Sequence, residues 1–216
     1  MENLIGEGMS GKVYFPALNI PGAPIGNYVS KLTSFKVANA EMEFASIIQQ
    51  TIPDGAIYAE HMVKLDEHDS HRMTTKFGIV YDTCVFSIYG GVSLVTYFEI
   101  IEHAAYKDGH IDTSVFDDII LALSVLRTEV ESMNQKGFHH NDISHDNIVY
   151  NKDEKKARLV DFERADFGSG NDDDDLTSVM NDFKDLLAMY QKKHTAEARK
   201  GTKHKRKHKS FKIKNK

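Results

Sequence analysis

Two aspartates and an asparagine in the second half of the chain are spaced in a way that suits chemistry on a phosphate group. Asp142 is followed five positions later by Asn147, and Asp161 follows in the segment 158–163, with short apolar runs between them. Phosphoryl transfer needs one carboxylate to orient and deprotonate a hydroxyl, and an amide and a second carboxylate to hold Mg²⁺ on the phosphates. The three residues supply the side chains that such a reaction requires.

A glycine-rich loop near the N-terminus is the second feature. Gly6, Gly8 and Gly11 are followed by Val13, and strand-forming residues flank the loop on both sides. Glycine lets backbone amides approach phosphate oxygens without a Cβ clash. The loop fits most of a P-loop, but Val13 stands where a P-loop has its Ser/Thr, and a dinucleotide-binding loop would be followed by a helix. A plain glycine-rich hairpin turn is the remaining alternative.

Together the two features resemble the protein kinase superfamily. Residues 6–13 match the glycine-rich loop pattern G-x-G-x-x-G-x-V at every specified position. Residues 140–142, with Asn147 after them, resemble the kinase catalytic loop, and residues 161–163 resemble the metal-binding D-F-G. The resemblance covers about residues 4–190 and keeps the family's order of motifs.

The resemblance implies that ATP and Mg²⁺ bind between two lobes. The implied ATP-binding positions are Ile5, Gly6, Glu7, Gly8, Met9, Ser10, Gly11, Lys12, Val13 and Lys31. Lys31, in an apolar strand, would hold the α- and β-phosphates and pair with a glutamate of the next helix. Glu41 and Glu43 both qualify: Glu41 begins an apolar stripe, whereas Glu43 has the spacing from Lys31 that is more usual in the family. The alternative for Lys31 is a surface position on its strand.

The same resemblance gives roles to the residues around Asp142. Asp142 would be the base that orients the acceptor hydroxyl, and Asn147 and Asp161 would bind Mg²⁺. His140 would stabilise the loop by hydrogen bonding. A polar turn between a helix and a strand is the alternative for Asp142 and Asn147. A zinc site is not expected at the neighbouring histidines, because no Cys/His set with zinc spacing accompanies them.

Several positions depart from the family's pattern. Ser144 stands where protein kinases carry a lysine that contacts the γ-phosphate, which leaves less positive charge for the transition state. Asn141 replaces the arginine that reads a phosphorylated activation loop, and Glu163 replaces the flexible glycine of D-F-G. No A-P-E motif follows, so most of the peptide-docking platform is expected to be absent. This brevity resembles atypical and virus-encoded kinases.

Local patterns predict an α+β chain with an N-terminal sheet and one helix followed by a mainly helical part, and the resemblance implies a two-lobed, kinase-like fold over residues 1–191. A small β-sheet lobe with one helix is expected over about 1–89, and a truncated, mainly helical lobe over about 92–191. The predicted helices are 38–50, 93–105, 113–136 and 176–190, and the predicted strands include 28–32, 57–58, 78–81, 84–89, 148–150 and 157–160. Apolar residues in 113–136 recur at three- and four-residue intervals, and Gly137 is expected to cap that helix.

Charge divides the chain into an acidic body and a basic tail. Residues 192–216 contain twelve Lys/Arg and one acidic residue, so they carry +11 and leave −16 for the rest of a chain whose net charge is −5. The tail is predicted to be disordered. The tail would contact nucleic acid or an acidic partner, act as a nuclear localisation signal, or be a solvated terminus without a specific role. The acidic run 172–175 is predicted to be a solvated loop, with a site for a basic substrate or for the tail as the alternative.

Composition indicates an intracellular globular protein. Of 216 residues 41% are apolar, which is enough for a core of ordinary size, and the single cysteine, Cys84, suits a reducing compartment. The first residues lack the pattern of a signal peptide, and no apolar run approaches the ~20 residues of a membrane helix. We therefore expect a cytoplasmic location, or a nuclear one through the tail.

The expected function is transfer of the γ-phosphoryl group of Mg-ATP to a serine or threonine hydroxyl of a protein substrate. A small-molecule kinase on the same scaffold is the first alternative. An ATP-binding pseudokinase or scaffold module is the second, and a nucleic-acid binder whose folded part is only structural is the third.

Overall fold

The computed structural model describes residues 2–8, 10–108 and 114–213 and has an α+β fold. An antiparallel sheet and one helix form the N-terminal part of the chain, and a mainly helical part with short strand pairs follows. The α+β class predicted from the sequence is confirmed.

The N-terminal part is built on a five-stranded antiparallel sheet. Its strands are β1 (Asn3–Glu7), β2 (Gly11–Phe15), β3 (Tyr28–Thr33), β4 (His61–Lys64), β5 (Met73–Thr74), β6 (Val80–Tyr81) and β7 (Thr83–Ile88). The sheet has the order β1-β2-β3-β7-β4, while β5 pairs only with β6. Leu32, Cys84 and Phe86 of the central strands β3 and β7 are buried in one apolar cluster. Because β3 pairs with β2 on one edge and with β7 on the other, its backbone is held on both sides.

Two of the predicted strands differ from the structure. The predicted strand 78–81 is shortened to Val80–Tyr81. The predicted strand 57–58 is wrong, since this segment forms only an isolated bridge at Ala56 and a backbone hydrogen bond from Ile57 to Leu159. A single pairing partner is too little to build a ladder there, although Ile57 is buried and Tyr58 half-buried.

Helix α1 (Phe35–Thr51) begins earlier than predicted because Ser34 caps it. The Ser34 side chain accepts a hydrogen bond from the backbone N–H of Val37, and such caps satisfy amides that the first helical turn leaves free. Ala38, Ala45 and Ile48 are the buried residues of the helix. The helix therefore packs one face against the sheet and the interior.

The second part of the chain contains the remaining helices and short strands. They are β8 (Val92–Ser93), α2 (Leu94–Asp108), α3 (Ser114–Gln135), β9 (Phe138–His139), β10 (Ile148–Asn151), β11 (Lys156–Leu159), β12 (Asp166–Phe167) and α4 (Asp172–Ile213). One turn of 3-10 helix, Phe162–Arg164, lies between β11 and β12. None of the helices in the described ranges combines the length and hydropathy that a membrane span requires.

Helix α3 is the centre of the larger apolar core. Of the apolar residues whose helical spacing predicted a buried face, all but Ile120 are buried, and Ile120 is partly buried against the same core. The buried ones are Phe116, Ile119, Leu123, Leu126, Val130 and Met133. Gly137 follows the helix with φ of +75°, the left-handed conformation expected of a C-terminal cap. The chain then turns directly into β9 and the segment that contains Asp142.

Two strand pairs hold the segment around Asp142 in place. β10 pairs with β11 as the predicted hairpin and also with β8. β9 pairs with β12, so that His139 lies opposite Asp166. The residues between β9 and β10 are therefore anchored at both ends.

Helix α4 is longer than predicted at both of its ends. It begins at Asp172 rather than at residue 176, so the prediction of a solvated acidic loop at 172–175 is wrong. It also continues to Ile213, which differs from the predicted disorder of the tail 192–216. No proline occurs after residue 171, and the four aspartates lie in the first turn, where negative charge favours a helix.

Candidate functional site

Lys31 lies at the centre of a cluster of carboxylates. Its Nζ atom is 2.6 Å from Oε1 of Glu41 on α1 and 2.9 Å from Oδ1 of Asp161, just after β11. Glu163, in the 3-10 turn, brings a third carboxylate to 4.0 Å. The surface position considered for Lys31 is therefore excluded, because its side chain is largely buried between these partners.

The charges of this cluster do not balance. Burial by itself lowers the pKa of Lys31, but attraction to Glu41 and Asp161 outweighs it and raises that pKa above its ordinary value. Burial raises the pKa of Glu41, and Lys31 only partly offsets this effect. Both directions are consistent with one ammonium shared among three carboxylates. The ammonium is held firmly in its charged form, while the carboxylates remain in excess.

The structure distinguishes between the two candidate partners of Lys31. Glu41 makes the contact, whereas Glu43 is exposed and accepts a hydrogen bond from Asn39 Nδ2 at 2.6 Å, one turn earlier in the same helix. Residues two positions apart on a helix point in different directions, so only one of them can face the strand. The apolar pattern that begins at Glu41 therefore predicted the partner of Lys31 better than the spacing usual in protein kinases, which favoured Glu43.

Asp161 has an unusual backbone conformation, with φ of 63° and ψ of 66°. Non-glycine residues seldom adopt this left-handed conformation, which is often found at functional sites. Phe162 follows and is buried, with its ring 4.5 Å from the ring of His140. The anchored phenylalanine holds the turn that directs the Asp161 side chain towards Lys31.

Asp142 and Asn147 form one hydrogen-bonded unit. Asn147 Nδ2 donates to the carbonyl oxygen of Asp142 at 2.9 Å and to its Oδ2 atom at 3.0 Å. The backbone N–H of Val160 donates to the carbonyl oxygen of Asn147 at 3.0 Å, which brings this unit next to Asp161. The structure thus brings Lys31, Glu41, Asp142, Asn147 and Asp161 to one region.

The buried side chain of His140 links the segment that contains Asp142 to the segment just before Asp161. Its ring Nε2 lies 2.9 Å from the carbonyl oxygen of Val160, and because a carbonyl only accepts, this nitrogen must carry the proton. Burial lowers the pKa of His140, and nearby carboxylates offset this only in part. A neutral histidine with a structural hydrogen bond agrees with the expected role in stabilising the loop.

Asp172 is the residue that the sequence analysis missed. Its side chain has 0% exposure, and it accepts hydrogen bonds from the backbone N–H groups of His140 at 2.8 Å and of Asn141 at 2.9 Å. It therefore fixes the backbone just before Asp142. Four identical aspartates in a row gave no signal of which one is buried. Asp173, the next residue, is also engaged, since it pairs with Arg127 at 2.8 Å.

Asn141 ties the segment after Asp161 to the same backbone. It has a left-handed φ of 61°, and its Nδ2 donates to the carbonyl oxygen of Arg164 at 3.2 Å and to Asp166 Oδ1 at 2.8 Å. A Cβ on Gly170 would come within 2.5 Å of the Asn141 side-chain oxygen, so glycine is needed for this approach. The asparagine thus orders the segment through hydrogen bonds to one backbone carbonyl and one carboxylate.

The glycine-rich loop lies beside Lys31 because β2 and β3 are paired, with Val13 opposite Lys31. A Cβ on Gly11 would lie 2.6 Å from the carbonyl oxygen of Leu32, so this glycine allows the strands to pair. A Cβ on Gly8 would meet nothing within 4 Å. Nothing in the described chain therefore requires glycine at position 8, and the space above it is open.

The other loop positions are mostly at the surface. Ile5 and Glu7 are exposed, and Lys12 forms an ion pair with Glu7 at 3.2 Å. The carbonyl oxygen of Ser10 accepts a hydrogen bond from the Thr33 hydroxyl, which joins the loop to the end of β3. Gly6 packs against Val13. Met9, predicted to bind ATP, lies outside the described residues.

The donor atoms at this site fit Mg²⁺ with phosphate oxygens better than a metal held by protein alone. In the described ranges, no group of three or more His, Cys, Asp or Glu side chains is arranged to hold a metal. Mg²⁺ usually takes one or two carboxylates and completes its shell with water or phosphate oxygens. Asp161 offers a carboxylate, and Asn147 offers its amide oxygen because its Nδ2 is engaged with Asp142. The excess of negative charge around Lys31 also favours a cation.

Comparison of the chain with protein-family models and with curated proteins found no match in either case. Inferences about this site therefore depend on its geometry and chemistry.

Proposed function

We propose that this protein is an ATP-dependent phosphotransferase that moves the γ-phosphoryl group of Mg-ATP to a serine or threonine hydroxyl of a protein. We also propose that the N-terminal sheet with α1 and the helical part act as the two lobes of a kinase-like fold. The observation that carries the proposal is Lys31, held by Glu41 on one side and by Asp161 on the other. This arrangement joins the sheet to the segment that contains Asp142.

The bound phosphates would be contacted from the sheet side by Lys31 and the glycine-rich loop. A buried ammonium is costly unless opposite charge surrounds it, and Glu41 fixes its position before a ligand enters. The open space at Gly8 allows backbone amides of the loop to approach an anion. Positioning of this kind accounts for much of the catalysis in phosphoryl transfer.

Asp161 and Asn147 are the residues that would hold Mg²⁺. When bound, the ion would neutralise phosphate charge during transfer. Asp161 comes from the left-handed turn before Phe162, and Asn147 is oriented by its hydrogen bonds to Asp142. Both side chains are therefore set by neighbouring residues before any ligand binds.

Asp142 would orient the acceptor hydroxyl and take its proton. Asn147 holds the Asp142 Oδ2 atom, so the carboxylate keeps one orientation. Behind it, Asp172 fixes the backbone N–H groups of His140 and Asn141. A base on a backbone held in this way stays within reach of its proton donor, as general base catalysis requires.

A small-molecule acceptor is the second candidate, and one observation favours it. Only residues 162–171 separate Asp161 from α4, and they are taken up by the 3-10 turn, the short strand β12 and the contacts of Gly170 with His139 and Asn141. Little chain is left to form a platform for a peptide. A small hydroxyl compound needs no such platform.

The proposal is tested with γ-phosphate-labelled ATP, Mg²⁺ and either protein mixtures or metabolite mixtures, followed by phosphoamino-acid analysis. The wild-type protein is expected to label serine or threonine, and Asp161→Asn is expected to abolish the label. Asp185→Asn on the exposed surface of α4 is the matched control and should keep full activity. Label found only on metabolites would select the second candidate. Nucleotide binding without any transfer would refute the phosphotransferase and favour a pseudokinase.

A further inference from the structure

Arg164 is the cation nearest to the proposed base. Its Nη1 atom lies 3.5 Å from Oδ1 of Asp142, and among the described residues no other Lys, Arg or His side chain comes within 4.0 Å of that carboxylate. Lys31 is already engaged by three carboxylates on the other side of the site. Positive charge near Asp142 therefore comes from the segment after Asp161. A short sequence motif around Asp142 does not predict this contact.

The backbone of Arg164 is fixed, whereas its side chain is exposed and makes one long contact, with Asp142. The residue ends the 3-10 turn that begins at the buried Phe162, and its carbonyl oxygen accepts a hydrogen bond from Asn141 Nδ2 at 3.2 Å. The side chain is 57% exposed, and its contact with Asp142 is long for a charged hydrogen bond. An anion placed beside Asp142 would thus be within reach of a guanidinium that no residue in the described ranges holds with a closer ion pair.

Ser144 makes this position significant. Its backbone accepts a hydrogen bond from the N–H of Asn147, and the short serine side chain carries no charge. The transferred phosphoryl group carries negative charge on its equatorial oxygens, and cations that contact these oxygens accelerate the reaction. Residues 140–147 contain no lysine or arginine that could supply such a cation.

We propose that Arg164 is a catalytic residue that contacts the phosphoryl group as it passes from ATP to the acceptor, in the place left open by Ser144. This inference rests on the proposed phosphotransferase function. In the step, the bond between the γ-phosphorus and the β,γ-bridging oxygen breaks, and ADP leaves with the electron pair. A new bond forms from the acceptor oxygen to phosphorus, the hydroxyl proton goes to Asp142, and the guanidinium keeps its protons.

The test compares Arg164→Gln, Arg164→Lys and the double variant Ser144→Lys/Arg164→Gln with the full-length wild-type protein. Transfer from labelled ATP gives kcat and KM. Calorimetry gives the affinities for Mg-ADP alone and for Mg-ADP with aluminium fluoride, which mimics the transferred phosphoryl group. Arg72→Gln, in the loop between β4 and β5, removes the same charge elsewhere and should leave both measurements unchanged.

We expect Arg164→Gln to lower kcat about 100-fold or more, as loss of one preorganised donor to developing charge does. It should weaken binding of the aluminium fluoride complex while leaving the affinity for Mg-ADP unchanged. Arg164→Lys should retain part of the activity. Adding Ser144→Lys to Arg164→Gln should raise kcat at least about tenfold above that of Arg164→Gln alone.

Three results would overturn the inference. In the first, kcat of Arg164→Gln lies near that of the wild type. In the second, the affinities for Mg-ADP and for its aluminium fluoride complex fall together, as a purely structural role predicts. In the third, Ser144→Lys gives no rescue. A wild-type protein that transfers no label would refute the proposed function itself, and the role of Arg164 with it.

Discussion

The Nζ atom of Lys31 and the Oδ1 atom of Asp161 lie 2.9 Å apart although 130 positions separate the two residues in the chain. Lys31 belongs to the middle strand of the sheet, and Asp161 begins the turn after β11. Their contact connects the two parts of the fold at the candidate site. Glu41, held against the same ammonium, makes the position of α1 part of that connection.

Replacement of Glu41 by glutamine should impair the site, whereas replacement of Glu43 should not. Glu41→Gln removes the closest charge that orients the buried Lys31, and a small displacement of a positioning group lowers rates by about 100-fold. Glu43→Gln is the matched control, because Glu43 is exposed and hydrogen-bonded to Asn39 rather than to Lys31. Phosphate transfer from labelled ATP measures both. Equal rates for the two variants would contradict the importance of the Lys31–Glu41 pair.

Loss of the buried Asp172 carboxylate should destabilise the protein strongly. Asp172→Ala leaves the backbone N–H groups of His140 and Asn141 without their partner, and each unsatisfied buried group costs about 1–3 kcal/mol. We expect the free energy of unfolding to fall by about 3 kcal/mol in urea titrations. Asp174→Ala, two residues along the same helix but exposed, should change it by less than about 0.5 kcal/mol. Similar values for the two variants would show that the buried contacts contribute little.

The two glycines of the loop should respond differently to alanine. Gly11→Ala places a Cβ against the carbonyl oxygen of Leu32, and we expect a loss of about 1–3 kcal/mol in stability from overpacking. Gly8→Ala meets open space and should leave the melting temperature unchanged. If phosphates approach the loop, Gly8→Ala should still weaken ATP binding, by about tenfold or 1.4 kcal/mol. Calorimetry and thermal unfolding separate the two effects, and unaltered ATP affinity in Gly8→Ala would count against a phosphate site at this glycine.

Stability should fall as the pH decreases below about 6.5 because of His140. Burial lowers its pKa in the folded protein, so the unfolded chain takes up a proton that the folded chain refuses. The proton uptake favours unfolding between the ordinary pKa of 6.5 and the lower folded value. His140→Gln can keep a donor towards Val160 without titrating, so its unfolding free energy should fall less between about pH 7.5 and about pH 5.

The exposed His68 provides the control for this pH dependence, since His68→Gln should follow the wild-type curve. A curve for His140→Gln that is as steep as that of the wild type would assign the acid sensitivity to other groups.

Local patterns were sufficient for most of the elements. The apolar spacing of α3 and the turn glycine after it predicted that helix closely, because periodicity and caps are properties of neighbouring residues. The start of α4 was not predicted. Asp172 looks like any other residue of an acidic run, and its burial depends on amides that lie 31 and 32 positions earlier.

The sequence by itself determined most of the helices and strands, their order, the α+β class and the set of polar side chains from which the candidate site is built. Hydrogen bonding along the backbone and apolar periodicity act over a few residues, so they can be read directly from the chain. Only the tertiary structure decided that Lys31 pairs with Glu41, that Asp172 supports the backbone before Asp142, and that Arg164 faces that aspartate. These contacts depend on how whole elements pack against one another, and many packings are compatible with the same local pattern.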